Sequence, residues 1–489
     1  MKDFHTVSSR FPLSLAAIAL ALAGCATAPP DRLVQPSPDF ARAQLAASIK
    51  LARDGWPEAR WWTRYHDAQL DALVERALKD SPTLPVAQTR IAAAQAALAS
   101  ERSNGGASLD LEVGANRQRY SGNGLFPEPI GGNFYNDASV RVKAGYDFDW
   151  WGKHRAMVAA ALGDVNVRRA EAAQAEQTLA ASVVQSYLRL QLLWARKDNV
   201  DAMAAAQRDM VAERKARIAR GLANIDEQRV AERDLGTLQE QAAAFATQAE
   251  REREALRALV GAGADDLALA RRPVPQGAAA LPSRLGLELL ARRPDLQAAR
   301  WRVEATLGRA TAAEAAFYPD INLAGSFGLD AVSLGKLLRP NSRTMLIGTL
   351  VDLPLFDSGR LSGNLGQARA ERNAAIADYN QAVFQAVAQV AEEGATLQGL
   401  ERQAAAHAAA REASAALVAS ATRRINQGLG DRASLLAARQ QVLRQQDVAL
   451  QQQDAALQTE VALTRALGGG FQSDPATPAS TAALSNARN

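Results

Sequence analysis

A single cysteine in 489 residues leaves this chain unable to form an internal disulfide or a thiolate metal site. Histidine is nearly as scarce: His5, His66, His154 and His407 are scattered, and none has a second ligand at metal spacing. There is no phosphate-cradling Gly-rich loop and no Gly-x-Ser-x-Gly elbow, and the carboxylates show only ordinary helix-surface patterning, so catalysis is not expected. Basic and acidic residues number 56 and 52 without a long block of one sign, which argues against nucleic acid as a partner. Aromatics are only 5%, and alanine dominates the 48% apolar share. That composition favours long, closely packed helices over a bulky core. At this length the chain could form two or three ordinary domains or one elongated one.

Proline is missing between Pro129 and Pro273 and again between Pro354 and Pro475. Because proline costs about 3 kcal/mol inside a helix, both stretches are helix territory. In the first, Leu179, Val183, Tyr187, Leu190 and Trp194 recur at helical steps; in the second, Tyr379, Val383, Val387 and Val390 do the same. A helix from about Gly152 to Arg220 would extend on the order of 100 Å. Each stretch is broken once by one phrase, Arg217-Ile218-Ala219-Arg220-Gly221-Leu222 and Arg424-Ile425-Asn426-Gln427-Gly428-Leu429, 207 residues apart (424 − 217). Upstream, Pro82-Thr83-Leu84 with Arg90 is echoed by Pro294-Asp295-Leu296 with Arg302, 212 residues later (294 − 82). The chain therefore reads as an internal duplication.

Ahead of each helical stretch the period changes to two. Leu109, Leu111 and Val113 alternate with Ser108, Asp110 and Glu112, and Val140, Val142, Ala144, Tyr146, Phe148 and Trp150 alternate with Arg141, Lys143, Gly145, Asp147 and Asp149. The second copy offers Ile321, Leu323, Phe327 and Leu329, then Met345, Ile347, Thr349, Val351, Leu353 and Leu355, with Leu346 and Leu350 intruding. Runs of about ten residues suit membrane-spanning strands, lipid on one face and water on the other. A half-buried soluble hairpin would alternate in the same way. Arg141, Lys143, Asp147 and Asp149 on one face argue for a wet lumen, and the aromatics Tyr146 to Trp151 resemble an interfacial girdle. Segments 121–137 and 331–343 read as the intervening loops. Four membrane strands cannot close a barrel, so such a chain must oligomerise.

The cysteine has its own context. Lys2 and Arg10 precede an apolar run, Phe11 to Gly24, that is too short to span a bilayer, which is the anatomy of a secretory signal. Leu22-Ala23-Gly24-Cys25 resembles the bacterial lipobox. That resemblance implies a mature chain starting at Cys25, carrying N-acyl and S-diacylglycerol lipid and no other cofactor; Ala26 favours delivery to the outer membrane.

This leader, with Trp61-Trp62, Asp67, Leu70-Asp71-Ala72-Leu73, Tyr146-Asp147-Phe148-Asp149-Trp150-Trp151-Gly152-Lys153, Phe317-Tyr318-Pro319, Pro354-Leu355-Phe356-Asp357-Ser358-Gly359-Arg360 and the two Arg-Ile-x-x-Gly-Leu phrases, resembles the outer membrane efflux protein (TolC-like) family. The nearest likeness is its NodT-like lipoprotein branch, which serves resistance–nodulation–division pumps. The resemblance implies a mixed, mostly α fold: a homotrimer giving four strands per protomer to one twelve-stranded outer-membrane barrel, continuous with a periplasmic α-helical barrel. Its expected division is signal peptide 1–24; lipidated N-terminus, belt segment and first helix 25–104; first strand pair 105–150; first helical hairpin 151–262; belt and start of the second repeat 263–316; second strand pair 317–357; second hairpin 358–467; tail 468–489. The function implied is a passive exit duct for drugs or other small toxic molecules, docked to a periplasmic adaptor and an inner-membrane transporter. Arg217, Gly221, Leu222, Arg424, Gly428 and Leu429 are the candidate adaptor contacts, and Asp431 and Asp226 the candidate aperture ring. The intervening Gly430 departs from the family spacing. Asp431 also suits a helix N-cap, and His154 reads as a solvated or interfacial residue. Packing rather than ligand recognition is expected of Trp56, Trp61 and Trp62. The competing reading is a coiled-coil lipoprotein scaffold or adaptor that never spans the membrane.

Overall fold

The computed structural model describes residues 28–31, 49–50, 53–263, 267–277, 279–283, 285 and 288–472. The leader, His5, Cys25 and the tail from residue 473 lie outside the described residues. Among the described residues twelve α-helices and strands follow one another: α1 (Ala68–Asp80), α2 (Leu84–Asn104), β1 (Ser108–Arg119), β2 (Phe134–Asp147), α3 (Lys153–Ala219), α4 (Ile225–Leu259), α5 (Glu288–Arg292), α6 (Pro294–Ala315), β3 (Asp320–Ala331), β4 (Arg343–Asp352), α7 (Arg360–Asn426) and α8 (Arg432–Ala466). The duplication is exact in length through the hairpins: α3 and α7 have 67 residues each, α4 and α8 have 35, and both pairs are offset by 207 (360 − 153 and 432 − 225). Among the described residues no helix is long and apolar enough to cross a membrane.

The chain divides into two compact units. The first includes residues 90–168 and 299–379 and holds one antiparallel sheet of order β1-β2-β3-β4. Leu109, Leu111 and Val113 pair with Ala144, Val142 and Val140, which pair onward with Gly325, Phe327 and Leu329. Met345 and Ile347 of β4 continue that face opposite Phe327 and Gly325. Directly opposed residues share a face, so one side of the sheet is apolar across all four strands, and it is exposed: Leu109 is 74% and Ile347 77% accessible. The other side is largely polar, with Leu346 and Leu350 of β4 among its apolar exceptions. Arg141 meets Asp330 at 2.5 Å, and Lys143 pairs with Glu112.

Two strands end earlier than alternation predicts. β2 stops at Asp147, not Trp150, because Asp149 takes a positive φ of 45° and turns its carboxylate to the first amides of α3, His154 N at 2.8 Å and Arg155 N at 3.0 Å. Asp149 is therefore a helix cap and not part of the charged strand face. β4 stops at Asp352, ahead of Pro354, which has no N–H for a ladder. Conversely, Phe134 to Asp137 belong to β2 and not to the preceding loop. The aromatics do gather: Tyr146 meets Phe148 at 5.0 Å, and Trp151 stacks on Tyr318 at 4.7 Å while donating its indole N–H to the Pro319 carbonyl. His154 is half-buried, its Nε2 2.6 Å from Asp147 Oδ2.

Within this unit α3 and α6 cross through small residues. A Cβ at Gly308 would lie 2.7 Å from the Ala156 carbonyl, and one at Gly163 would lie 3.0 Å from Ala305 N. The alanine-rich composition has its use here, since only small side chains let two helix backbones approach so closely.

The second unit includes residues 53–89, 169–298 and 380–472. The helical seam read from the first stretch is its core: Leu179, Val183, Tyr187 and Leu190 are at most 5% exposed and pack with Trp61, Trp62, Leu70 and Val74 from the N-terminal lead-in and with Leu256, Leu457 and Val461. Trp56 lies under the Arg292 guanidinium. Asp67 caps α1 and also accepts from the Tyr187 hydroxyl at 2.5 Å, and burial pushes that phenol's pKa up. Gly468 and Gly470, both at positive φ, press against the carbonyls of Arg292 and Glu58, where a Cβ has no room.

Gly308→Val should lower the thermal midpoint followed by circular dichroism, by the ~1–3 kcal/mol of an overpacked site. Gly236→Ala, in the open interior of α4, should instead hold or raise it by roughly 0.5–1 kcal/mol.

Candidate functional site at the two hairpin turns

The two Arg-Ile-x-x-Gly-Leu phrases end α3 and α7, and the structure explains their composition. Gly221 and Gly428 have φ of 71° and 73°, the left-handed region that favours glycine. Each donates its N–H to the isoleucine carbonyl three residues back, both at 2.9 Å. The following leucine donates to the arginine carbonyl five residues back, Leu222 to Arg217 at 2.9 Å and Leu429 to Arg424 at 2.8 Å. This double bond pattern is the Schellman motif, which satisfies the last carbonyls of a helix. The side chains it displays do not fold back: Leu222 is 63% and Leu429 76% exposed.

The next helix starts immediately. Asp431 caps α8, its Oδ1 accepting from Ser434 N at 2.6 Å. In the first copy the equivalent cap is Asn224, whose side chain accepts from Asp226 N at 3.2 Å. Asp226 is therefore the second residue of α4, in its first turn, exposed, with Arg229 3.5 Å away. Sequence reasoning missed Asn224, although an Asn just before the acidic first turn of a helix is a start signal. Gly430 is explained by space: a Cβ there would lie 3.0 Å from Arg424 Cβ and from Ile425 N. The turn in the second copy is no longer than that in the first, since each cap follows its glycine by three positions.

Two residues assigned separate roles from sequence come together. Arg217 Nη1 lies 3.8 Å from Asp431 Oδ2, joining the end of α3 to the start of α8. Arg214 and Lys215 reach Glu227 and Glu232 of α4 at 2.6 and 3.3 Å. Arg424 has no comparable link to Asp226 or Asp431. Hydrogen bonds from the Ser434 backbone and hydroxyl hold the Asp431 pKa below the usual aspartate value, with Arg217 and Arg214 adding to the effect. Exposed pairs of this kind contribute little to stability and are screened by salt, so they are contacts a partner or a field can break.

Away from the turns the hairpins interlock more firmly. Gln440 donates to Gln207 Oε1 at 2.7 Å and Gln207 to the Ala231 carbonyl at 2.9 Å, all buried. Arg196 binds Asp447 through two hydrogen bonds, at 3.0 and 3.2 Å, with its guanidinium 4.4 Å above the Phe245 ring. Among the described residues no three His, Cys, Asp or Glu side chains gather as a metal site; His407 contacts Gln445.

Comparison with known proteins agrees with this architecture. A family model described as outer membrane efflux protein matches residues 73–262 and 285–469. The chain is 37% identical over 469 residues to the multidrug resistance outer membrane protein MdtP of Escherichia coli K12, covering 93% of this chain and 95% of MdtP. The crystal structure of the outer membrane protein VceC from Vibrio cholerae superposes with a TM-score of 0.77 at 31% identity, over 85% of this chain and all of VceC. The Campylobacter jejuni CmeC outer membrane channel has the same fold, with a TM-score of 0.80 at 19% identity over 94% of this chain and 98% of CmeC.

Because Asp431 is stabilised ionised in the folded state, its contribution is complete above the pKa of an unfolded aspartate and is lost as pH falls through the depressed folded value. Amide exchange at Ser434 should therefore quicken only at strongly acidic pH. Asp431→Asn keeps a capping oxygen and should preserve that protection at neutral pH, whereas Asp431→Ala should lose about 1 kcal/mol of local stability.

Proposed function

The chain belongs to the outer membrane efflux protein family and is an efflux channel of the outer membrane; we propose that it is the passive exit duct of a tripartite pump. The reading rests on the sheet, which among the described residues has four strands with both edges unpaired, an exposed apolar face and an ion-paired polar one. An open edge in hydrocarbon leaves backbone groups unsatisfied. Three copies side by side close a twelve-stranded barrel and satisfy both edges of each. Arg141, Lys143, Glu112 and Asp330 then line a water-filled lumen through which drugs or other small toxic molecules leave the periplasm. Nothing in this role calls for catalysis or a nucleotide. A scaffold that never entered the membrane would have no use for so much exposed apolar sheet.

Energy comes, on this reading, from an inner-membrane resistance–nodulation–division transporter, coupled through a periplasmic adaptor. The adaptor docks on the turns, with Leu222 and Leu429 as apolar contacts, Gly221 and Gly428 fixing their placement, and Arg217 and Arg424 beside them. Threefold symmetry makes rings of Asp431 and of Asp226 around the aperture. Like charges in a ring repel unless neutralised, and the Arg217–Asp431 contact is the neutralising element within each copy. Cys25 carries the acyl anchor; each methylene buried in lipid contributes about 0.8 kcal/mol.

Planar-bilayer conductance tests the reading. Wild type should give small or flickering currents that enlarge in Asp431→Ala. Equal, steady currents in both would keep the duct and reject the gate residue, and no current despite confirmed incorporation would favour the scaffold. Leu222→Gln with Leu429→Gln, which adds no charge at the aperture, should abolish adaptor co-purification while leaving conductance unchanged.

A further inference from the structure

The apolar face of the sheet ends in cations at one rim only. Along β1 that face reads Leu109, Leu111, Val113, Ala115, and then Arg117 and Arg119. Along β4 it opens with Arg343, opposite Leu329, before Met345 and Ile347. The carboxylates at this level belong to the other face: Asp137 is opposite Asn116, and Asp330 is opposite Ser139 and paired with Arg141. Arg117 lies 5.3 Å over the Phe134 ring and Arg119 donates to the Gly132 carbonyl at 3.3 Å, so neither guanidinium is engaged with an acid. Lys336 and Arg339 add charge from the exposed loop between β3 and β4.

Position gives this segregation its meaning. From Leu109 to Arg117 the strand rises about 26 Å, close to the apolar band of about 25 Å in outer-membrane barrels. Arginine is costly at mid-bilayer and tolerated at headgroup level. The helices connect to the opposite ends of the strands, so in a channel whose helices occupy the periplasm this rim meets the outer leaflet. β1 and β4 are also the two edges, so closing the barrel brings Arg117 and Arg119 of one copy beside Arg343 of the next. Guanidinium forks match phosphate oxygens in pairs. A zwitterionic phospholipid brings its own ammonium to its phosphate, whereas a phosphorylated glycolipid leaves its phosphates uncompensated.

We infer that each seam between copies binds the phosphate of an outer-leaflet glycolipid headgroup through Arg117, Arg119 and Arg343. The inference rests on the barrel reading, and one measurement separates their failures: native mass spectrometry of the detergent-purified protein titrated with diphosphorylated lipid A. Wild type should appear as a three-copy mass retaining this lipid, and Arg117→Gln/Arg119→Gln/Arg343→Gln should retain it roughly a hundredfold more weakly. Dephosphorylated lipid A, phosphatidylethanolamine and inorganic phosphate should each bind wild type far less. Equal retention by the variant, or of the dephosphorylated lipid, in a three-copy assembly would overturn the inference and leave the channel standing. A one-copy mass for wild type would overturn both. Should the glutamine variant fail to assemble, the phosphorylated and dephosphorylated lipids compared on wild type decide the matter.

Discussion

The outer edges of β1 and β4 carry backbone N–H and C=O groups that no other strand among the described residues pairs, and hydrocarbon would offer them nothing. Water could solvate such edges, but water is also what the exposed face of Leu109, Leu111, Met345 and Ile347 must avoid. The proposed ring of copies answers both demands. The rest of the chain is consistent with that requirement. The polar face balances its charges internally, Arg141 with Asp330 and Lys143 with Glu112, as a wall meant to be wet on one side. The α3–α6 crossing, through Gly163, Gly308 and small alanines, brings the helices that adjoin the strands close together.

Much of this was legible in the sequence because its causes are local. Absence of proline and an apolar rhythm of three and four residues marked α3 as a long helix, since a helix needs only its own backbone bonds and one buried stripe, and the glycine phrase marked its end. The repeated glycine phrase marked the turns because the left-handed conformation restricts residue choice directly. Strand ends were less legible: alternation runs on through Phe148 and Trp150, yet the chain leaves the sheet at Asp147 because Asp149 is claimed by the α3 amides. That competition is between two tertiary uses of one residue, and periodicity does not register it.

The site shows the same boundary. Gly221, Leu222, Gly428 and Leu429 follow from turn chemistry, and the Asp431 cap follows from helix-start chemistry. The proximity of Arg217 and Asp431, 214 residues apart (431 − 217), does not. It depends on the side-by-side placement of two hairpins, which the buried Gln207–Gln440 and half-buried Arg196–Asp447 contacts hold.

The strand register also sets an order of events in time. Each helical hairpin closes through a short turn, and contacts of low sequence separation form early. Ala138 must find Ala331, 193 residues away (331 − 138), before β2 and β3 can pair. Closing a loop over that distance costs more entropy than closing either helical turn, and non-local pairings of this kind slow folding. The sheet, whose apolar face is exposed, is therefore expected to form after the helical hairpins.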